Sequence, residues 1–150
     1  MTGVIAAIRP DEWNVPLLVH VLGAMILVGA VITAVVAQLS ADATAVPARM
    51  RSVAFRTLLF LGIPSWFAMA AGAQWIYDKE FGDVEEDPAW IGVGFITREL
   101  GGLLLLIATI CAGIASRKNK SGLAKASAIL AAIALIGWVV AIWAMGAKPD

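Results

Sequence analysis

His20 is the only imidazole in a chain of 150 residues, and it falls inside a long apolar run, Asn14 to Ser40. An ionisable side chain at membrane depth is costly to insert, which makes it a functional-site hypothesis by default. It can serve as a metal ligand, or it can be an interior group satisfied by a carboxylate or a backbone carbonyl. Few other residues in the apolar runs can do chemistry. Arg98 and Glu99 interrupt the third run, Gln74 lies near the end of the second, and Met69 and Met145 place thioethers on the second and fourth. Trp66 and Trp138 sit deeper than the remaining tryptophans. His20, Met69, Gln74, Arg98, Glu99 and Met145 all belong to one half of the runs, while the other half reads as Ala, Leu, Val and Ile. Polarity is therefore expected at one end, around a pocket walled by Trp66, Trp75, Trp138 and Trp143. Enzymatic catalysis lacks support, because the sequence offers no nucleophile–base pair, phosphate loop or clustered metal-ligand motif.

Composition defines the elements that must position these groups. With 61% hydrophobic and 15% charged residues and a mean hydropathy of +0.87, the chain reads as an integral membrane protein and not as a soluble domain. The segments Asn14 to Ser40, Ser52 to Tyr77, Trp90 to Ser116 and Gly122 to Gly146 each exceed the roughly 20 apolar residues that cross a hydrocarbon core. Connections of about a dozen residues or fewer leave no room for a second domain. The expectation is one all-α domain over residues 1–150, a polytopic four-helix bundle. Arg49, Arg51, Arg56, Arg117, Lys118, Lys120 and Lys125 gather at the first and third connections, against Arg9, Lys79, Arg98 and Lys148 on the other side. That bias places the first and third connections in the cytoplasm and both termini outside. The six carboxylates from Asp78 to Asp87 then face outward; their spacing does not meet the twelve-residue calcium loop, and a solvated loop is the expectation.

Local signals refine this picture. Asn14 to Pro16 is a helix start, since proline is tolerated in a first turn. Ser40 to Met50 reads as the inner turn. Pro64 removes a backbone hydrogen bond in the middle of the second helix and should bend it, opening space beside itself. Ala43-Thr44-Ala45 looks like a signal cleavage site, but the run from Val15 to Leu39 is too long for a signal core and lacks a positive flank. Cys111, the lone cysteine, reads as a small buried apolar side chain. Arg98 and Glu99 lie about 8 residues into the third segment, roughly 12 Å along its axis. Either they sit below the surface, or Trp90 to Thr97 forms an interfacial helix and the pair marks the head-group boundary. Glu99 shares a face with Gly102, Leu106, Thr109 and Gly113, which directs it into the bundle. The corresponding faces elsewhere are His20, Gly23, Ala24, Leu27 and Ala30; Ser65, Met69, Gly72 and Ile76; and Ser127, Ala131, Ala134, Trp138, Ala141 and Met145. Trp13, Trp75, Trp90 and Trp143 fit the outer aromatic belt.

The run Leu18-Val19-His20-Val21-Leu22-Gly23-Ala24-Met25-Ile26-Leu27-Val28-Gly29 resembles the first helix of small four-helix membrane proteins related to the copper-resistance protein D family, among them an uncharacterised bacterial group. Pro64 with Gly72 and Trp75 is similar to their second helix. In a more distant, protoporphyrinogen-oxidase-like branch the matching histidine is a haem ligand, and the resemblance implies that role for His20. It also implies the bacterial cytoplasmic membrane as the location.

Two functional classes follow. In the first, the protein holds haem b or copper for electron transfer or metal handling. His20 is then an axial ligand with Met69 or Met145 as the second, and Glu99 or Gln74 orients the ring. For copper, His20, Met69 and Met145 give the imidazole and thioether set that suits the cuprous ion. In the second class it is a non-catalytic accessory subunit, or a bundle that binds lipid or another apolar small molecule at its outer end. Its Gly- and Ala-rich helices suit a homo-oligomer or a larger membrane complex equally well. A proton path is weaker, because a relay needs ionisable groups in both halves. Membrane lipid is the expected surrounding, and a nucleic-acid partner is not expected.

Overall fold

The computed structural model describes residues 14–81 and 89–147. Helix α1 spans Asn14–Ser40 and ends in a 3-10 turn at Ala41–Ala43. Helix α2 (Pro47–Thr57), a π-helical segment (Leu58–Gly62) and α3 (Ile63–Phe81) run on as one rod, followed by α4 (Ala89–Lys118) and α5 (Ser121–Ala147). Four helical stretches are long and apolar enough to cross a membrane: Asn14–Ala43, Pro47–Lys79, Ala89–Lys118 and Ser121–Ala147. No strand occurs among the described residues. Helix is the required form, because lipid offers backbone groups no external partner. The chain is an all-α, four-helix integral membrane bundle.

Two boundaries differ from the sequence reading. The second span starts at Pro47 and not at Ser52, with proline at a first-turn position where its missing N–H costs nothing. The polar residues Arg49 and Arg51 are therefore helical, and the inner turn shrinks to the few residues after Ser40. Helix α4 is continuous from Ala89, so no separate interfacial helix precedes Arg98. Just before Pro64, where the sequence led us to expect a bend, the helix widens into a π turn in which the Ile63 N–H reaches the Leu58 carbonyl. Widening that turn accommodates a ring that would otherwise crowd the carbonyl four residues back.

The tightest packing joins α4 to α5. On α4, Ile91, Gly94, Gly101, Leu105, Ala108, Ala112 and Ala115 are buried; on α5, Ala124, Ser127, Ala131, Ala134 and Trp138 are. These positions recur at alternating three- and four-residue steps, which keeps one seam of small side chains facing the partner helix. Arg98 occupies a seam position on α4, seven residues after Ile91 and seven before Leu105. The face assigned through Glu99 is borne out in part: Thr109 and Gly113 are buried as expected, whereas Glu99 turns outward. Leu106 is 49% exposed.

The end of the bundle opposite His20 is polar too, which corrects the expectation of one-sided polarity. Gln38, Arg51, Thr109 and Ser127 are all buried there. Ser127 Oγ donates to the Ala108 carbonyl at 2.8 Å, and Gln38 Nε2 donates to Ser127 Oγ at 3.4 Å. Arg51, 3% exposed, donates from Nη1 to Asn119 Oδ1 and from Nη2 to Asp42 Oδ1. It ties α2 both to the turn after α1 and to the α4–α5 turn, where Asn119 takes a φ of 50°, a left-handed conformation that asparagine tolerates. Gln38 and His20 are about 27 Å apart along α1 at 1.5 Å per residue. Buried Leu27, Ala30, Val31 and Ala34 lie between them.

Candidate functional site

The site begins where α1 and α3 cross at two glycines. A Cβ on Gly23 would stand 2.6 Å from the Met69 nitrogen, and one on Gly72 would stand 2.6 Å from the His20 nitrogen. Only hydrogen fits at either position, so the two backbones touch. That contact brings His20 Nδ1 to 2.9 Å from the Met69 carbonyl oxygen. A carbonyl can only accept, so Nδ1 carries the proton, and the tautomer this selects has its lone pair on Nε2. Of the two ways in which His20 was expected to be satisfied, the structure has the backbone carbonyl.

Beside His20 lies a cavity of about 330 Å³ to which all four spans contribute, with Val28 of α1, Ile76 of α3, Phe95 of α4 and Ile142 of α5 among its walls. It forms because α3 has little contact with α4 in this half, although α2 packs against α4 in the other. Trp66 is the tie between α3 and α4 below the opening. Its Nε1 donates to the Arg98 carbonyl at 3.2 Å, and its ring edge covers Gly102, where a Cβ would meet it at 2.4 Å.

Arg98 brings a cation to this apolar wall. Its side chain is only 18% exposed, and its guanidinium carbon stands 4.6 Å from the centre of the Phe95 ring. Nε and Nη2 donate to Glu99 Oε1 at 2.9 and 2.6 Å, and Nη1 donates to Gln74 Oε1 at 3.4 Å. Thr97 Oγ1 donates into its own helix, to the Val93 carbonyl at 2.7 Å and the Gly94 carbonyl at 3.1 Å. Opposite Gly94, the Met145 methyl fills the space a Cβ would take.

Of the residues assigned from sequence, His20, Met69, Arg98, Trp138 and Met145 line the cavity. Three do not. Glu99 is 61% exposed and turns outward, because the α4 seam runs through its neighbour Arg98; it balances the guanidinium and has no bond to His20. Gln74 likewise serves Arg98, and bonds Asp78 at 2.8 Å. Trp66 closes the bundle beneath the cavity. Among the expected tryptophan walls, Trp75 (48% exposed) and Trp143 (64% exposed) sit on outward faces, as a belt requires. Trp90, assigned to the belt, lines the cavity instead, as do Tyr77 and Phe95. The seam spacing Ile91, Gly94, Phe95, Arg98 was the signal that would have found this wall. Trp13 and most of the acidic connection, residues 82–88, lie outside the described residues. Among the described residues no group of three or more His, Cys, Asp or Glu side chains could hold a metal ion.

Fold and site together define a small helical membrane protein with a largely apolar cleft near one membrane face, furnished with one imidazole and one guanidinium. The chain matches no protein-family model, and no curated protein and no solved structure matches it.

Proposed function

We propose that this protein binds a small amphipathic molecule from the membrane in the His20 cleft, acting as a carrier or an accessory component without chemistry of its own. The observation that carries this reading is the pairing of an apolar cavity of about 330 Å³ with the fixed polar groups of His20 and Arg98 in its wall. Ligand sites of this size, typically about 300–1,000 Å³, are mostly apolar, with a few placed polar atoms that set orientation. The orientation we infer has the cleft on the extracytoplasmic side of a bacterial cytoplasmic membrane, both termini outside, in keeping with the Arg and Lys residues crowded at the opposite end. The test is titration of purified protein with an environment-sensitive apolar dye, compared with Ala24→Trp, which fills the cavity. One saturable site, lost in the variant, is expected; dye uptake that never saturates, or is identical in the two proteins, refutes the reading.

A second reading, a haem b or copper centre as the family resemblance implies, is supported by one specific feature. Metal-bound histidines almost always donate their other ring N–H to a carbonyl or a carboxylate, and His20 donates in that way to Met69. Met69 and Met145 line the same cavity, and a lone-pair imidazole with thioethers fits a cuprous ion or the axial pair of a haem. A visible spectrum with metal analysis on the purified protein decides. A Soret band or stoichiometric copper lost in His20→Ala favours this reading; colourless, metal-free protein removes it.

A further inference from the structure

Resting on the reading of the cleft as an amphiphile site, we propose that its ligand is a single-chain carboxylic acid. Its head lies between His20 Nε2 and Arg98, and its chain lies along the apolar walls. The head follows from what the two polar groups lack. Because Nδ1 is committed to the Met69 carbonyl, Nε2 offers a lone pair and needs a donor. Arg98 has only donors, and Nη1, with its 3.4 Å contact to Gln74, is the one held least tightly. A carboxylic acid carries an O–H donor and a C=O acceptor on one carbon, so one head answers both needs. If the proton passes from the carboxyl oxygen to Nε2, the carboxylate is left between an imidazolium and a guanidinium, and the net charge of the occupied site is unchanged. An alcohol satisfies Nε2 alone. An ester satisfies Arg98 alone. A phosphate would bring a second negative charge to a guanidinium that Glu99 already neutralises.

The chain follows from the walls. The cavity of about 330 Å³ is lined mostly by apolar side chains from all four spans, which suits one acyl chain lying along it with its head at the polar groups.

The experiment places the protein in phosphatidylcholine nanodiscs and follows quenching of tryptophan fluorescence by decanoic acid, decanol and methyl decanoate, each brominated at the chain end. Trp90 and Trp138 line the cavity and report occupancy. The acid is expected to saturate at a concentration about tenfold below the alcohol and the ester, the discrimination given by one charge-assisted hydrogen bond. Arg98→Gln and His20→Phe should each lose the preference for the acid while still showing saturable quenching by the ester, which verifies that the cavity survives. Equal saturation by acid, alcohol and ester overturns the carboxylic-acid assignment and leaves the amphiphile site standing. Quenching that rises linearly with every compound overturns both.

Discussion

Gly72→Ala tests how His20 is positioned. A methyl there would stand 2.6 Å from the His20 nitrogen and 2.8 Å from its Cα, and backbone atoms cannot swing aside. Reaching ordinary contact at 3.4 Å requires α1 and α3 to separate by about 0.8 Å. The same movement stretches the 2.9 Å His20–Met69 bond to about 3.7 Å, beyond hydrogen-bonding range. Overpacking costs about 1–3 kcal/mol, and the lost bond about 0.5–1.5 kcal/mol. Replacing a helical glycine returns about 0.5–1 kcal/mol. The expected outcome is a loss of about 2 kcal/mol in detergent-driven unfolding in mixed micelles, together with a change in the ¹⁵N signals of the His20 ring as Nδ1 loses its acceptor. The control is Gly137→Ala, where a Cβ meets nothing within 4 Å; it should be neutral or stabilise by up to about 1 kcal/mol. A Gly72→Ala protein as stable as the control, with unchanged ring signals, would show that the crossing is looser than described and that the imidazole is held by something else.

Other consequences can be measured in the same unfolding assay. Ser127→Ala removes the partner of Gln38, whose Oε1 already has none; it should cost about 1–3 kcal/mol, and adding Gln38→Leu should recover most of that, since deleting both polar groups removes the unsatisfied one. Arg51→Met unties Asp42 and Asn119 at once, and a loss of about 1–3 kcal/mol is expected, with faster proteolysis at the α4–α5 turn as an independent readout. Gly101→Ala places a Cβ 2.3 Å from Trp138 Nε1, so it should displace that indole and shift the tryptophan emission, whereas Gly92→Ala, with nothing nearby, should leave the spectrum unchanged.

Much of this protein was legible in one dimension. Hydropathy and length define the four spans, because a lipid environment allows a long apolar segment no alternative to helix. The small-residue faces of α1, α3 and α5 were readable for a similar reason, since close helix approach needs Gly, Ala and Ser at regular spacing. His20, Met69, Arg98, Trp138 and Met145 could be gathered to one end by counting residues along those spans. Counting does not fix rotation about a helix axis. On α4 a turn of about 100° decides between Arg98 and Glu99, and the small residues of the neighbouring α5 seam, not any local preference, turned Arg98 inward. Nor does depth alone identify partners. Gln38 and Arg51 look like ordinary interfacial residues in sequence, yet the turn after α1 and the α4–α5 turn both bond Arg51, which is buried. The acceptor for His20 is a backbone carbonyl, a group every residue carries and no sequence pattern marks; only the glycine-to-backbone crossing of α1 and α3 selects the one at Met69.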